Sequence, residues 1–236
     1  ETIVSDPPIL IYRGYDWGDL PDSYGTLADS DGPHHSIQDP QNTGRPTTIT
    51  DMNSVPAVAY PAVWLGSSVD YSPNGEANGQ PTLGADGDDT NTVNDVNDED
   101  GVTYLGSWSP LPTMDGGSFS VFVNSSDGTC TGCRLGFWID WNQNGDFMDA
   151  GESYVKPVGY GANTVRFDIL TMPTSPLLYA RFRLYDGNYM GDILPTGLVT
   201  NGEVEDYRFD ISPTAVDLLY FEAEGAKKSV VLSWAT

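Results

Sequence analysis

The chain has 236 residues, of which 39% are hydrophobic and 11% aromatic, so it can bury a substantial core. Its 34 acidic residues against 10 basic ones give a net charge of −24. This charge argues against nucleic acid and anionic membranes as partners and favours divalent cations, which relieve the self-repulsion of a compact acidic chain.

Short strands are the predicted secondary structure throughout. The 26 glycines and 17 prolines separate short runs rich in Val, Ile, Tyr, Phe and Trp, and no window has the apolar spacing of an amphipathic helix. No apolar run is long enough for membrane insertion. The sequence therefore predicts an all-β protein, an antiparallel β-sandwich of the jelly-roll or immunoglobulin-like type.

The first hundred residues are rich in loops and acids. Residues 1–14 include a short apolar stretch, which predicts an N-terminal strand or arm, and another short strand is expected around Val58 to Leu65. Between Arg45 and Arg134 there are twelve acidic residues and no Lys or Arg. Because so long an irregular segment is unusual in a compact domain, we expect bound metal to order this N-terminal part.

The acidic tract GADGDDTNTVNDVNDEDGV, residues 84–102, is the first candidate metal segment. Acidic runs are usually solvated, and that interpretation stays open here. However, the glycines of the tract suit tight folding around an ion, and its end leads directly into an apolar run. We therefore expect Asp98 and Asp100 to contribute to a cation site.

Seven strand-like runs follow. Apolar and polar residues alternate in FSVFVN and RFDI, as they do in half-buried antiparallel strands. The predicted strands are Val102 to Leu105, Ser118 to Val123, Arg134 to Trp141, Ser153 to Val158, Thr164 to Ile169, Leu177 to Tyr185 and Val204 to Ile211.

Two local features lie between the second and third of these runs. Asn124 opens a sequon, which is a weak signal for surface N-glycosylation. Cys130 and Cys133 lie in a loop rich in Gly, Thr and Ser, whereas a zinc site normally needs four ligands and a redox CxxC usually opens a helix. We therefore predict a disulfide, which indicates an oxidising, extracellular setting.

The motif DWNQNGDFMDAGE, residues 140–152, has the pattern of a calcium loop. Oxygen donors at i, i+2 and i+4 followed by Gly converge on a hard cation such as Ca²⁺. The closing Glu lies one position later than in an EF-hand, and the flanks predict strands, so we expect an EF-like loop between two strands. A polar hairpin loop is the alternative, but it does not explain the acids. The candidate ligands are Asp140, Asn142, Asn144, Asp146 and Glu152.

Charged residues also mark the last two predicted strands. Arg181 and Arg183 alternate onto one face of ARFRL, and we expect them to pair with the carboxylates of NGEVEDYRF; solvent exposure is the alternative. In that second motif Glu203 and Glu205 share one strand face. Together with Asp206 and the end of the acidic tract, they are candidate ligands for a further calcium ion.

Residues 212–236 are predicted to form a linker and a β-hairpin. Two strand-like runs, Val216 to Glu222 and Ser229 to Trp234, flank a polar turn. Because a lone hairpin is at best marginally stable in water, it must pack on something. Either its strands are donated to a neighbouring copy, or the hairpin folds back on its own domain or begins an incomplete further domain.

Five motifs, in order, resemble the GEVED domain family of bacterial secreted and surface proteins. They are DWGDLPDSYGT, WLGSSVD with a downstream GDD and DEDGV, FWIDWNQNGDFMDAGE, ARFRL and GEVEDY. The resemblance implies an extracellular, all-β, calcium-dependent module over residues 15–211, without an established catalytic activity. The tail is similar to the opening strands of a fibronectin type III-like domain.

The sequence favours a non-catalytic structural role. It contains no G-x-S-x-G motif, and His34 and His35 are adjacent, unlike a metal-hydrolase pair. We expect a cell-surface module that binds more than one Ca²⁺ and assembles into a fibre by strand exchange between copies. The alternative is a carbohydrate-binding or adhesion module of a larger secreted protein. For that role the Trp and Tyr side chains are candidate glycan platforms, although core positions explain Trp138 and Trp141 more simply.

Overall fold

The computed structural model describes residues 15–37, 62–67, 77–87, 97–105, 117–169, 173, 175–211, 220–226 and 229–235. The predicted arm at residues 1–14 and the predicted linker with the first hairpin residues, 212–219, lie outside these ranges. Neither of the two short helices within them has the length and hydrophobicity needed to cross a bilayer.

Thirteen strands and two 3₁₀ helices form within the described ranges. The strands are β1 (Tyr15–Trp17), β2 (His34–Ser36), β3 (Val63–Leu65), β4 (Val102–Tyr104), β5 (Gly117–Ser125), β6 (Arg134–Ile139), β7 (Ser153–Pro157), β8 (Gly161–Phe167), β9 (Leu177–Tyr185), β10 (Leu198–Thr200), β11 (Glu203–Asp210), β12 (Tyr220–Ala226) and β13 (Ser229–Ala235). The helices are Asp22–Tyr24 and Ala28–Ser30. The predicted all-β class is confirmed, and all seven strands predicted from Val102 onward are present.

Two antiparallel sheets pack face to face. The first has the order β11-β9-β6-β7, and the second has β5 at its centre, with β8 along one edge and the short β3 and β4 along the other. In the core between them the ring of Phe119 lies 6.1 Å from that of Phe137 and 5.0 Å from that of Phe182. Burial of such large apolar side chains is the main force holding the sheets together. This arrangement confirms the predicted β-sandwich.

The first sheet is covered on its other face as well. There β2 pairs antiparallel with β1 and parallel with β10, and a second apolar cluster joins Leu20 and Tyr24 to Trp138 of β6. Strands β6 and β9 are therefore buried on both faces. In ARFRL, alternate side chains therefore enter two different buried environments, and neither face of this stretch is exposed to solvent.

The predicted disulfide is confirmed. Cys130 and Cys133 are bonded in the loop between β5 and β6, and both are buried. Asn124 lies near the end of β5 with its side chain partly buried, and its Oδ1 accepts a hydrogen bond from the backbone N–H of Ser125 at 2.9 Å. Glycosylation at Asn124 stays a prediction.

The predicted C-terminal hairpin is present, with β12 and β13 paired antiparallel. Among the described strands, neither pairs with any other. Phe221, Val230 and Leu232 share one face of the hairpin and are 57%, 64% and 50% exposed. Glu222 and Glu224 lie on the opposite face. Val231, which is 54% exposed, lies there too, so the face of Phe221, Val230 and Leu232 is the more apolar of the two and is open to solvent.

Candidate metal centre

The loop of residues 140–152 joins β6 to β7, as the sequence predicts. The two strands are antiparallel neighbours, and their ladder ends where the backbone N–H of Ile139 donates to the carbonyl of Glu152 at 2.9 Å. The loop therefore projects from the end of the first sheet, with both of its ends fixed by strands. This is the geometry expected of an EF-like loop held between strands.

Short side chains of the loop fold it through successive Asx turns. The Oδ1 of Asn142 accepts from the N–H of Asn144 at 2.9 Å, and the Oδ1 of Asn144 accepts from the N–H of Asp146 at 3.0 Å. Asp146 in turn accepts from the N–H of Met148 at 2.9 Å. The alternation of Asp and Asn thus satisfies the turn geometry of the loop, in addition to any role in binding an ion.

Asp140 lies at the base of the loop and is 1% exposed. Its Oδ2 accepts from the hydroxyl of Tyr24 at 2.6 Å and from the N–H of Gly145 at 2.9 Å, and its Oδ1 accepts from the N–H of Asn144 at 3.2 Å. Gly145 has a φ of +92°, which glycine adopts without strain. The contact with Tyr24 connects residues 15–37, here called the N-terminal segment, to the loop.

Three carboxylates of the loop converge. Oxygen atoms of Asp146, Asp149 and Glu152 all lie within 4.8 Å of one another. Glu152 is 2% exposed, and its Oε1 accepts from the N–H of Asn142 at 3.3 Å, whereas its buried Oε2 has no hydrogen-bond partner. The sequence did not single out Asp149, because its position is not one at which an EF-hand supplies a ligand.

The electrostatics of this cluster favour a cation. Burial raises the pKa of Glu152, and the negative charges of Asp140 and Asp149 raise it further. A buried carboxylate oxygen without a partner also costs free energy. A hard divalent ion would offset both effects, and the converging oxygen donors suit Ca²⁺ better than metals that prefer nitrogen or sulfur.

The GEVED motif begins at a glycine that no other residue could replace without strain. Gly202 has a φ of +100°, and a Cβ added there would lie 2.0 Å from the carbonyl oxygen of Leu184 and 2.9 Å from Nδ1 of His35. Glycine allows the chain to turn at this point against β9. The acids that follow are thereby placed in register along β11.

Alternate side chains of β11 enter two different environments. Glu203 and Glu205 face the second sheet, where Oε2 of Glu203 accepts from the N–H of Leu65. The Oε1 of Glu205 accepts from the N–H groups of Asp100 and Gly101 at 3.1 and 2.8 Å. The prediction that the two glutamates share a strand face is confirmed.

Asp206 points to the opposite face of β11, toward Arg181. Its Oδ1 accepts from Nε of Arg181 at 2.7 Å, and its Oδ2 accepts from Nη2 of Arg181 at 2.8 Å. The N–H groups of Asp19 and Leu20 also donate to Oδ2, at 2.8 and 2.9 Å. The predicted pairing of Arg181 with the motif is confirmed. Both oxygens of Asp206 are therefore occupied by Arg181 and by backbone N–H groups, and its role as a metal ligand stays a prediction.

Residues 134–210 match the family model of the GEVED domain. The match covers about a third of the chain, from β6 to β11, and includes both the β6–β7 loop and the motif that names the family. Searches among curated proteins and among solved structures gave no match. We refer to residues 134–210 as the GEVED segment.

The second arginine of the GEVED segment has different partners. Arg183 donates to the carbonyl oxygens of Leu194, Thr196 and Gly197 at 2.8, 2.6 and 2.7 Å, and its Nε lies 3.1 Å from Nε2 of His35. The prediction that Arg183 pairs with a carboxylate of the motif is therefore wrong. The loop leading into β10 brings backbone carbonyls to this arginine, and sequence spacing does not reveal that loop's path.

His35 is held as a neutral ring beneath the GEVED segment. Its Nε2 accepts from Arg183, so the proton lies on Nδ1, which donates to the carbonyl of Asn201 at 3.1 Å. Burial lowers the pKa of His35 well below its usual value, and the charge of Arg183 lowers it further. The histidine of β2 therefore connects Arg183 of β9 to the turn before β11 through two hydrogen bonds.

The remaining predicted ligands lie beside the glutamates. Asp98 is 8% exposed, and Asp100 accepts hydrogen bonds from the N–H and hydroxyl of Ser67. Apart from Asp206, the predicted ligands therefore lie in two groups, one in the β6–β7 loop and one around Glu203 and Glu205. Trp138 and Trp141 are each only 2% exposed, which confirms the prediction that they occupy core positions.

Proposed function

We propose that the protein is a non-catalytic, extracellular structural module whose β6–β7 loop binds Ca²⁺. The observation that carries this proposal is the buried Oε2 of Glu152, which lacks a hydrogen-bond partner where three loop carboxylates converge. Asp146, Asp149 and Glu152 would bind the ion. The remaining predicted donors, Asp140 and the two asparagines, lie in the same loop. The disulfide supports the extracellular setting.

Calcium at this loop would stabilise the fold. An ion that binds only the folded state stabilises it by RT ln(1 + [L]/Kd), about 2.7 kcal/mol at a hundredfold excess over Kd. The ion would fix the connection between β6 and β7. Through the hydrogen bond from Tyr24 to Asp140, the same loop contacts the N-terminal segment. The effect of calcium should therefore extend beyond the loop.

Isothermal titration calorimetry of EDTA-treated protein tests the loop site. Calcium should bind the wild type, and Glu152→Gln should remove one binding event. Asp192→Asn is the matched control, because Asp192 is exposed and lies outside the loop. Equal calcium binding by Glu152→Gln and the wild type would overturn the assignment, as would the absence of calcium binding in the wild type.

We further propose that copies of the protein assemble through the C-terminal hairpin. The apolar face formed by Phe221, Val230 and Leu232 is at least half exposed, and a hairpin of two strands is marginally stable alone. A second copy of the chain would cover this face and extend a sheet. Repeated head to tail, such contacts between copies give a fibre. The net charge of −24 would limit lateral clumping of such fibres.

Paired variants of β13 test the assembly. Val230→Thr combined with Leu232→Thr replaces two of the three apolar side chains of this face by β-branched polar ones, and Val231→Thr makes one such replacement on the opposite face. Light scattering after size-exclusion chromatography and electron microscopy should show assembly for the wild type and the control but not for the double variant. A monomeric wild type, or equal assembly of all three proteins, would contradict the proposal.

A further inference from the structure

Two glutamates of the GEVED motif lie in the interior between the two sheets. Glu203 and Glu205 are each 1% exposed. Within the described part of the chain neither forms an ion pair, since the pair found there joins Arg181 to Asp206. Two carboxyl groups buried on one strand face carry a large desolvation cost when charged, and hydrogen bonds from neighbouring groups offset only part of it.

One oxygen of this pair has no partner. The Oε2 of Glu203 accepts a hydrogen bond from β3, but its Oε1 is buried and unpartnered. Glu205 differs, because its Oε1 accepts two backbone N–H groups and its Oε2 accepts from the hydroxyl of Tyr207 at 3.2 Å. The Oε1 of Glu203 is therefore the atom of this pair that a ligand would satisfy.

Other acids from separate parts of the chain surround the glutamates. Asp16 of β1 and Asp98 are 5% and 8% exposed. Burial raises the pKa of Glu203 well above its usual value, and the negative charges of Glu205, Asp16 and Asp98 raise it further. Asp98 also raises the pKa of Glu205, whose largest cause of elevation is again burial. Acidic side chains are thus gathered at one interior point, although less closely than Asp146, Asp149 and Glu152, the one group of three in the described part of the chain whose ligand atoms all lie within 4.8 Å of one another.

The backbone around this point is tightly fitted. Gly66 has a φ of +65°, and a Cβ added there would lie 1.5 Å from Oδ1 of Asp100. A Cβ added at Gly101 would lie 2.5 Å from the N–H nitrogen of Gly66. Both glycines let segments 65–67 and 98–101 approach each other and the glutamates closely. The acids are therefore enclosed by ordered backbone.

We infer that Glu203, Glu205 and Asp98 bind a second divalent cation, between β11 and the segments 65–67 and 97–101. The donors are oxygen atoms, so Ca²⁺ is the chemically preferred ion. The ion would satisfy Oε1 of Glu203 and connect β11 of the first sheet to β3 and β4 of the second. This inference deepens the proposed function, since it adds an ion to the same module, but it rests on different residues.

Native mass spectrometry in calcium-containing volatile buffer tests the inference by counting ions per chain. The wild type should carry two ions, Glu203→Gln one, Glu152→Gln one, and the double variant none. Asp192→Asn, an exposed control, should still carry two. If Glu152→Gln loses no ion while Glu203→Gln loses one, the loop assignment fails and the second site stands.

Thermal unfolding provides a second readout that a purely structural role would not reproduce. Glutamine is uncharged and similar in shape, so in EDTA Glu203→Gln should melt at or above the wild-type temperature. When calcium is added, the melting temperature of Glu203→Gln should rise less than that of the wild type, and Asp98→Asn should behave in the same way. If both variants retain the wild-type number of ions and the full gain from calcium, a proton shared by the glutamates explains the cluster and the inference is overturned.

Discussion

Replacing Arg181 by methionine removes the buried cation that joins the N-terminal segment to the GEVED segment. The side chains of Arg181 and Asp206 are both fully buried, and their ion pair has an N–O distance of 2.7 Å. Arg181 also donates to the carbonyls of Tyr24 and Pro195 and to Oγ1 of Thr26, at 3.3, 3.1 and 3.1 Å. Methionine restores much of the volume but leaves the carboxylate charged and buried.

The expected cost is large. Removing one partner of a buried ion pair typically costs about 3–5 kcal/mol, a major part of the roughly 5–15 kcal/mol that stabilises a domain. Arg208→Met is the matched control, because Arg208 is exposed and its Nη1 donates to the carbonyl of Leu83 at 3.1 Å. That change should cost no more than about 1 kcal/mol.

Urea unfolding followed by tryptophan fluorescence measures the difference. The midpoint of Arg181→Met should fall far below those of the wild type and of Arg208→Met, in calcium and in EDTA alike. Adding Asp206→Asn to Arg181→Met should recover part of the loss, because the second change removes the unpaired charge and keeps an oxygen that can accept from the N–H groups of Asp19 and Leu20. Equal midpoints for the two arginine variants would refute the structural role of the ion pair.

Three further predictions follow from the site. Lowering the pH from 7.5 to 5.5 should destabilise the wild type relative to His35→Gln, because only the unfolded histidine takes up a proton. The difference in unfolding free energy should grow by up to about 1.4 kcal/mol per pH unit below about pH 6.5. Urea unfolding at both pH values checks this, and equal losses of stability in the two proteins would contradict it. Gly202→Ala should cost at least about 1–3 kcal/mol, whereas Gly159→Ala, with open space around it, should leave the melting temperature nearly unchanged, and equal melting temperatures would refute the assignment. In EDTA, where loss of an ion does not contribute, Asp140→Ala should lower the urea midpoint more than Asp149→Ala, because Asp140 is buried and accepts three hydrogen bonds; the reverse order would contradict the role of Asp140 at the base of the loop.

Features set by local spacing could be predicted from the sequence. The period of two in a strand places Glu203 and Glu205 on one face, and the structure shows them there. The pattern of alternating Asp and Asn before Gly145 likewise predicts a loop between β6 and β7. The short strands β1, β2 and β10 have three residues each, too few to show any periodicity, and were missed.

Features set by contacts distant in the chain could not be predicted. Arg183 and His35 are 148 residues apart, and Tyr24 and Asp140 are 116 apart, yet each pair is hydrogen-bonded. No local pattern indicates which segment covers the outer face of the first sheet. For the same reason the sequence could not show that the two arginines of ARFRL have different partners, since they are the same residue type on the same strand face.

Thermal unfolding with and without calcium tests the central claim, that calcium bound in the β6–β7 loop stabilises the module. The wild type and Glu152→Gln are compared by differential scanning calorimetry after exhaustive chelation, and again with calcium at about a hundredfold excess over Kd. On adding calcium, the free energy of unfolding of the wild type should rise by about 2.7 kcal/mol for each bound ion. For Glu152→Gln the rise should be smaller by the contribution of one ion, about 2.7 kcal/mol. A wild-type melting temperature that is the same in calcium and in EDTA would contradict the claim.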